Sequence, residues 1–473
     1  MSLKQFGKDT FIYSAGNLLI RFVSFLLVPI YTNVFTQEEF GTFSLVFTFI
    51  GFIQIFYNYG MASSLMKFYR DDPAEKKQVI TTIFLTLAIT SVLFSVLLLL
   101  FSGSLASILF SVDRPEWFAY IAGILVLDTL SVRAMILIRF ENRPTFFTLA
   151  ALANVVVSLA ANILFVYVEK MGITGAIIST LISSIVSFLL VLPTIIRNLD
   201  FSTYSSKLLK KMLSFGLPFL PAAIFQIVMD LADRYLIDWI IGRDAVGVYN
   251  AGYKIGSLML IMTTGFNLGW QPYFLSKEKD KDAPRLFSRI ALLVVTVFAV
   301  IWVLFILFSE ELIRIQVGSI SLIGPAFWSS SSVIPIVMAG YVFLLFYDLF
   351  MPGIFYSNRS GLLPVYRAIG AGSNILLNLI FIPLWGIHGA AWATCISFAL
   401  MSVPLYFKTQ KLFYIPFQWG KTGTLLILGA GIFIAQYLVP FSFWTKGGIF
   451  LVFIGISGWI LRGEIRSWLS ARK

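Results

Sequence analysis

The chain has a single cysteine and a single histidine among its 473 residues, and only 12% of them are charged. One cysteine, Cys395, excludes an internal disulfide framework and a cysteine zinc site. One histidine, His388, excludes a multi-histidine metal centre, and its place at a helix start reads as a surface position. The shortage of charge excludes a soluble globule. With 58% apolar residues and a mean hydropathy of +0.88, too little polar side chain remains to clothe a water-facing surface. A phosphate cradle is also missing. Gly420-Lys421-Thr422 has the ending of one, but Ile415 stands where its first glycine belongs, and the segment opens an apolar run. No polar stretch is long enough for a catalytic domain, the longest outer one being about Ser309 to Pro325. A membrane glycosyltransferase, a polymerase or an assembly scaffold therefore ranks last, and the chain reads as no enzyme, with no resident cofactor.

What is present is apolar sequence in span-length pieces. A bilayer core about 30 Å thick takes roughly 20 apolar residues per helix, and fourteen such runs follow one another from Thr10–Thr32 to Gly447–Leu461. They are too continuous for a barrel's alternation, so helices must satisfy the backbone. The fold class is all-α and polytopic. The first run is full length and lacks a small-residue cleavage site, so it reads as a helix and not as a signal peptide.

The 35 Lys and Arg residues orient these helices. With the N-terminus in the cytoplasm, 26 fall in inner segments and 5 in outer ones, and four remain within spans. That bias is the positive-inside pattern, and it puts both termini on the cytoplasmic side of the inner membrane. It also accounts for the +12 net charge without a nucleic-acid partner, since no basic patch with interleaved aromatics occurs.

An internal repeat organises the runs. Gly172-Ile-Thr-Gly175-Ala-Ile-Ile-Ser-Thr180-Leu-Ile-Ser183 recurs as Gly386-Ile-His-Gly389-Ala-Ala-Trp-Ala-Thr394-Cys-Ile-Ser397, identical at seven of twelve positions 214 residues apart. Each copy opens a helix, the sixth and the twelfth, and each follows a helix bearing asparagines: Asn154 and Asn162, then Asn374 and Asn378. Glu39-Phe-Gly41-Thr-Phe43 and Ala245-Val-Gly247-Val-Tyr249 form a weaker pair 206 residues apart. A unit of six helices enters twice from the same side, so the two lobes form a parallel repeat, with a substrate site expected between them. The expected divisions are 1–199, a first six-helix lobe; 200–410, a second; and 411–473, two additional helices and a cytoplasmic tail.

Gly16-Asn-Leu-Leu-Ile-Arg21 running to Pro29-Ile-Tyr-Thr, Gly216-Leu-Pro218, Asp233-Arg234-Tyr235, Trp270-Gln-Pro272-Tyr and Asn374-Ile-Leu-Leu-Asn378 occur in an order and spacing that resemble one family. It is the polysaccharide (Wzx-type, O-antigen or teichoic acid) flippases of the multidrug/oligosaccharidyl-lipid/polysaccharide exporter superfamily. The resemblance spans essentially the whole chain. It implies a MATE-like, V-shaped pair of six-helix bundles working by alternating access, with a polyprenyl-pyrophosphate-linked oligosaccharide as cargo for cell-surface polysaccharide. Polysaccharide polymerases or glycosyltransferases would be partners, besides membrane lipids. It also implies that the last two helices could hold the lipid tail, as extra helices do in relatives that flip peptidoglycan precursor. Export of drugs or of another lipid-linked precursor is the alternative within the superfamily.

Ionisable groups within spans cost roughly 2.5–3.5 kcal/mol on insertion scales, so each marks a candidate site. Arg21 lies about eleven residues into the first run, too deep to snorkel, and a guanidinium suits a bidentate grip on pyrophosphate. The alternative is an ion pair that holds the bundle together. Asp230, Asp233, Arg234 and Asp238 share one helical face, with carboxylates four residues either side of Arg234: a self-satisfied ladder or an anion gate. Lys254 is the third candidate for headgroup binding, at a depth like that of Arg234. Asp128, Asp230 and Asp233 are candidates for proton or sodium coupling. Asp348 and Arg367 read as snorkelling ends, and Pro29, Pro218, Pro221, Pro335 and Gly265 as breaks where lobes bend.

Overall fold

A computed structural model describes residues 25–69, 72–357, 359 and 361–470, with side chains given up to residue 464. The described chain is helical apart from short connections and one two-stranded hairpin, Gln316–Val317 against Ile320–Ser321, which turns through Gly318 in the Ser309–Pro325 loop. Eleven helical stretches among the described residues are long and apolar enough to cross a membrane. One of them, Leu362–Leu412, is two spans joined across a non-helical Gly386. A further span is broken at Ser257 into Arg243–Gly256 and Leu258–Ser276, neither of which alone is both long and apolar enough to cross a membrane. Phe25–Val34 adds the described end of the first. The fourteen expected spans are thus accounted for.

Local chemistry sets the helix starts. Thr36 and Glu39 form a reciprocal capping box at Gln37–Asn58, the Thr36 hydroxyl taking the Glu39 N–H at 3.2 Å and the Glu39 carboxylate taking the Thr36 N–H at 2.9 Å. Asp72 accepts from the N–H groups of Ala74 and Glu75, and Pro73, which has no N–H to satisfy, follows it at the start of Pro73–Leu100. Within spans, hydroxyls return their hydrogen to the preceding turn, as Ser44 does to Phe40 and Thr129 to Leu125, both at 2.6 Å. No polar hydrogen need then face hydrocarbon.

The chain forms two compact units, 1–238 and 239–473. In the first, Glu116–Phe140 packs against Pro73–Leu100 and Gly172–Asn198, with Ile80, Phe84, Leu137, Ile138 and Val191 at the contact. Ser206–Gly216 also belongs here by packing. Its Met212 is buried with Met61 and Leu65, and the Met212 carbonyl accepts from Ser64 at 2.7 Å. The sequence repeat puts this seventh span at the head of the second half, while its Met212 is buried against the first.

The second unit is built on Ala283–Ile313, Ile334–Leu349 and the broken Leu362–Leu412 helix. Trp419–Leu438 and Phe443–Ser470, the two helices outside the repeat, pack on Ala283–Ile313. Gly429 lies against the Trp302 ring, where a Cβ would come within 2.8 Å. Glu464 joins three helices, with Arg289 at 3.1 Å, Lys421 at 3.7 Å and Gln418 at 3.0 Å. At the other end Lys446, 5% exposed as a side chain, pairs with Glu311 at 2.7 Å.

The breaks differ from those expected. Pro335 opens a helix instead of bending one, and Leu258–Ser276 runs through Gly265 without interruption. Pro218 sits in a 3-10 turn, Leu217–Phe219, which joins two helices of the seventh span. In the second unit Ser257 and Gly386 interrupt two spans without a proline, and Phe350 interrupts Ile334–Tyr356 just before Pro352.

Candidate functional site

The repeat is visible in backbone geometry. Gly172 and Gly386, its first residues, both have positive φ, +62° and +57°. Three residues later Gly175 and Gly389 lie beneath the carbonyls of Phe165 and Phe381, with no room for a Cβ at either. Buried amides precede both turns. Tyr31 donates to Asn162 at 2.7 Å, while Asn378 donates to the Asn374 carbonyl at 2.8 Å and Asn374 to Thr394 at 3.3 Å. Each half therefore carries a rigid, polar, proline-independent turn at the same place.

Within the first unit Arg234 is buried, 3% exposed, on Leu220–Ile241. Its Nη1 lies 2.6 Å from Asp233 Oδ1 and donates at 2.6 Å to the backbone carbonyl of Asp230. The adjacent carboxylate, Asp233, is thus paired with the guanidinium. Asp230 contributes its main chain, and its carboxylate accepts from Gln226 at 2.9 Å. Tyr235 donates to the Leu45 carbonyl at 3.1 Å, anchoring this helix to Gln37–Asn58. Asp128 is half-buried on Glu116–Phe140 and is hydrogen-bonded by Ser184. Arg21 lies outside the described residues.

Arg133, counted with the cations of the inner segments although the fourth run extends past it, is 3% exposed inside Glu116–Phe140, seven residues before the helix ends, about 10 Å of rise. It donates to Asn58 at 2.5 Å, and its Nε has no described partner. The apolar run continuing from Ala134 to Ile138 was the available signal.

In the second unit every residue from Val246 to Gly256 is buried except Lys254, which is exposed. Lys254 lies eleven residues along its helix, about 16 Å of rise, near the middle of a bilayer core. Asp348 does not snorkel as expected. It is 9% exposed, with Arg367 close enough to act on its charge and Asn267 hydrogen-bonded to its carboxylate, while Trp270 donates to its backbone carbonyl at 3.0 Å. Between the last two helices, Leu428, Ile432, Ile449, Val452, Phe453 and Ile456 line an apolar groove of about 520 Å³. Among the described residues no group of three or more His, Cys, Asp or Glu side chains could hold a metal ion.

Comparison with known proteins follows the same lines. The family described as "Polysaccharide biosynthesis protein" matches residues 6–277, more than half of the chain. A structure of the lipid II flippase MurJ, inward closed conformation, superposes with a TM-score of 0.75 at 17% identity, covering 96% of this chain and 100% of that one. An inward-facing multidrug resistance MATE family transporter of the MOP superfamily gives a TM-score of 0.63 at 14% identity, over 87% and 96%. An uncharacterized membrane protein of Methanocaldococcus jannaschii is 21% identical over 454 residues, 89% of this chain and 86% of its own.

Proposed function

This chain belongs to the polysaccharide biosynthesis protein family, and from that premise we propose that it is a flippase that carries a polyprenyl-pyrophosphate-linked oligosaccharide across the cytoplasmic membrane by alternating access. The chain is a multi-pass membrane protein whose family and fold match transporters. The observation that carries the proposal is Lys254, an exposed ammonium on a helix otherwise buried at mid-bilayer depth. A cation there cannot face acyl chains at tolerable cost, so it faces a polar interior that an anion can share with it. A pyrophosphate is such an anion, and Arg21 and Arg234 are the further headgroup ligands in this reading. The sugar follows the headgroup through the polar interior, and the apolar groove between the last two helices suits the polyprenyl tail.

Asp128 is the leading candidate for proton or sodium coupling. Asp233 is committed to Arg234, and Asp230 serves Gln226 and the same guanidinium. Both termini lie in the cytoplasm in this reading, on the strength of the Lys and Arg bias. Polymerases or glycosyltransferases that extend the glycan are the natural neighbours. The test is translocation of a defined lipid-linked oligosaccharide in proteoliposomes, read by access of an external glycan-cleaving enzyme. Lys254→Gln should stop it while the protein stays folded. Full translocation by that variant would remove the ground for the assignment.

A further inference from the structure

At the end of the second unit away from Asp348 lies a cavity of about 660 Å³, lined where Ala283–Ile313 ends and Ile334–Leu349 begins. Its size is that of a small-molecule site. Four aromatic residues line it. Trp392 stands edge-on to Phe433 at 6.1 Å, and Trp385 and Tyr437, 53% and 82% exposed, sit at the mouth.

The polar lining is charge-balanced. Glu310 is held by Arg314 at 2.5 Å and Lys446 by Glu311 at 2.7 Å, so the walls present no excess charge to an anion or to a quaternary amine. The remaining polar groups are neutral hydrogen-bonding ones, Ser309, Ser331, Ser332, His388, Gln436 and Tyr437. His388 meets Ser332 at 2.8 Å, and the Gln436 oxygen accepts the Phe441 N–H at 3.4 Å. His388, at its helix start, is partly exposed and lines this cavity.

Broad aromatic faces, neutral donors and acceptors, and no net charge are what a pyranose ring selects. Its C–H face stacks on an aromatic plane, and its hydroxyls both donate and accept. We propose that this cavity is a binding site for a neutral saccharide ring, separate from the cationic residues assigned to the headgroup. The assignment goes beyond the translocation reading and does not require it.

The site can be probed in the full-length protein in nanodiscs. Cys395 is buried, so Ser331→Cys supplies one accessible thiol in the cavity wall, whose labelling by a polar maleimide can be timed. The probes are methyl glycosides of glucose, galactose, mannose, N-acetylglucosamine and rhamnose, with glycerol 3-phosphate and phosphocholine as lipid-headgroup probes. At least one glycoside should slow labelling saturably, and Trp392→Ala should weaken that protection by about tenfold. Gln436→Ala, at a half-exposed position, repeats the test without opening the packed wall. The proposal is overturned if no glycoside protects, if the phosphate probes protect as well as the sugars, or if protection is undiminished in both variants. If no glycoside protects although the protein translocates its cargo, this site alone is sunk; if glycosides protect although no translocation is seen, only the flippase reading is.

Discussion

Gly172 and Gly386, 214 residues apart in the chain, turn the backbone through the same left-handed region, with φ of +62° and +57°. At Gly386 ψ is −135°, a combination that side chains rarely adopt, and a long helix continues on either side of it. The turn brings Gly389 under the Phe381 carbonyl, so two glycines set one close helix crossing.

Gly386→Ala should therefore destabilise the protein by about 1–3 kcal/mol. Gly389→Ala should do at least as much, because the methyl group would collide with backbone. Gly372→Ala, in the same helix with open space around it, is the control and should be neutral or slightly stabilising. Thermal unfolding in detergent ranks the three, and equal melting temperatures would contradict the crossing geometry.

The Arg234–Asp233 pair permits a separation of structure from transport. Arg234→Ala leaves a fully buried carboxylate without its ion partner, and a loss of about 3–5 kcal/mol is expected. Asp233→Asn with Arg234→Gln, which removes both charges, should recover much of that stability. If Arg234 also grips the cargo, the double variant will be folded yet inactive in the liposome assay. Recovered transport would make the pair purely structural.

Lys254 should behave in the opposite way. Being exposed, it carries little packing, so Lys254→Gln should change stability by no more than about 0.5 kcal/mol while translocation falls by at least tenfold. Lys254→Arg, which keeps the charge, should retain part of the activity. The ratio of transport rate to melting temperature across the series is the discriminating measurement.

Glu464 ties the last two helices to Arg289 at their shared end. Glu464→Gln should loosen them by roughly 1 kcal/mol, an amount typical of a partly exposed charge network. Faster proteolysis or hydrogen exchange confined to residues 419–464 would report it. Uniform destabilisation of the whole protein would mean that these helices unfold with the core.

Some of this was written in the residues themselves. Composition and run length determine an all-α membrane protein, because hydrocarbon admits no unsatisfied backbone. The Gly172 and Gly386 motifs likewise mark the duplication, because a glycine is favoured at a positive φ and is needed where a carbonyl leaves no room for a Cβ. Other features were decided by tertiary packing. Arg133 counts among the inner-segment cations and is buried, and Asp348 reads as a snorkelling end and is enclosed, because depth in a helix does not say which neighbours surround it. Arg234 has three carboxylates on its own helix, and the adjacent Asp233, which no helical periodicity singles out, pairs with it at 2.6 Å. The cavity around Trp392 joins residues from Ile306 to Lys446. Periodicity can place each of them on a helix, but only the packing of those helices brings them together.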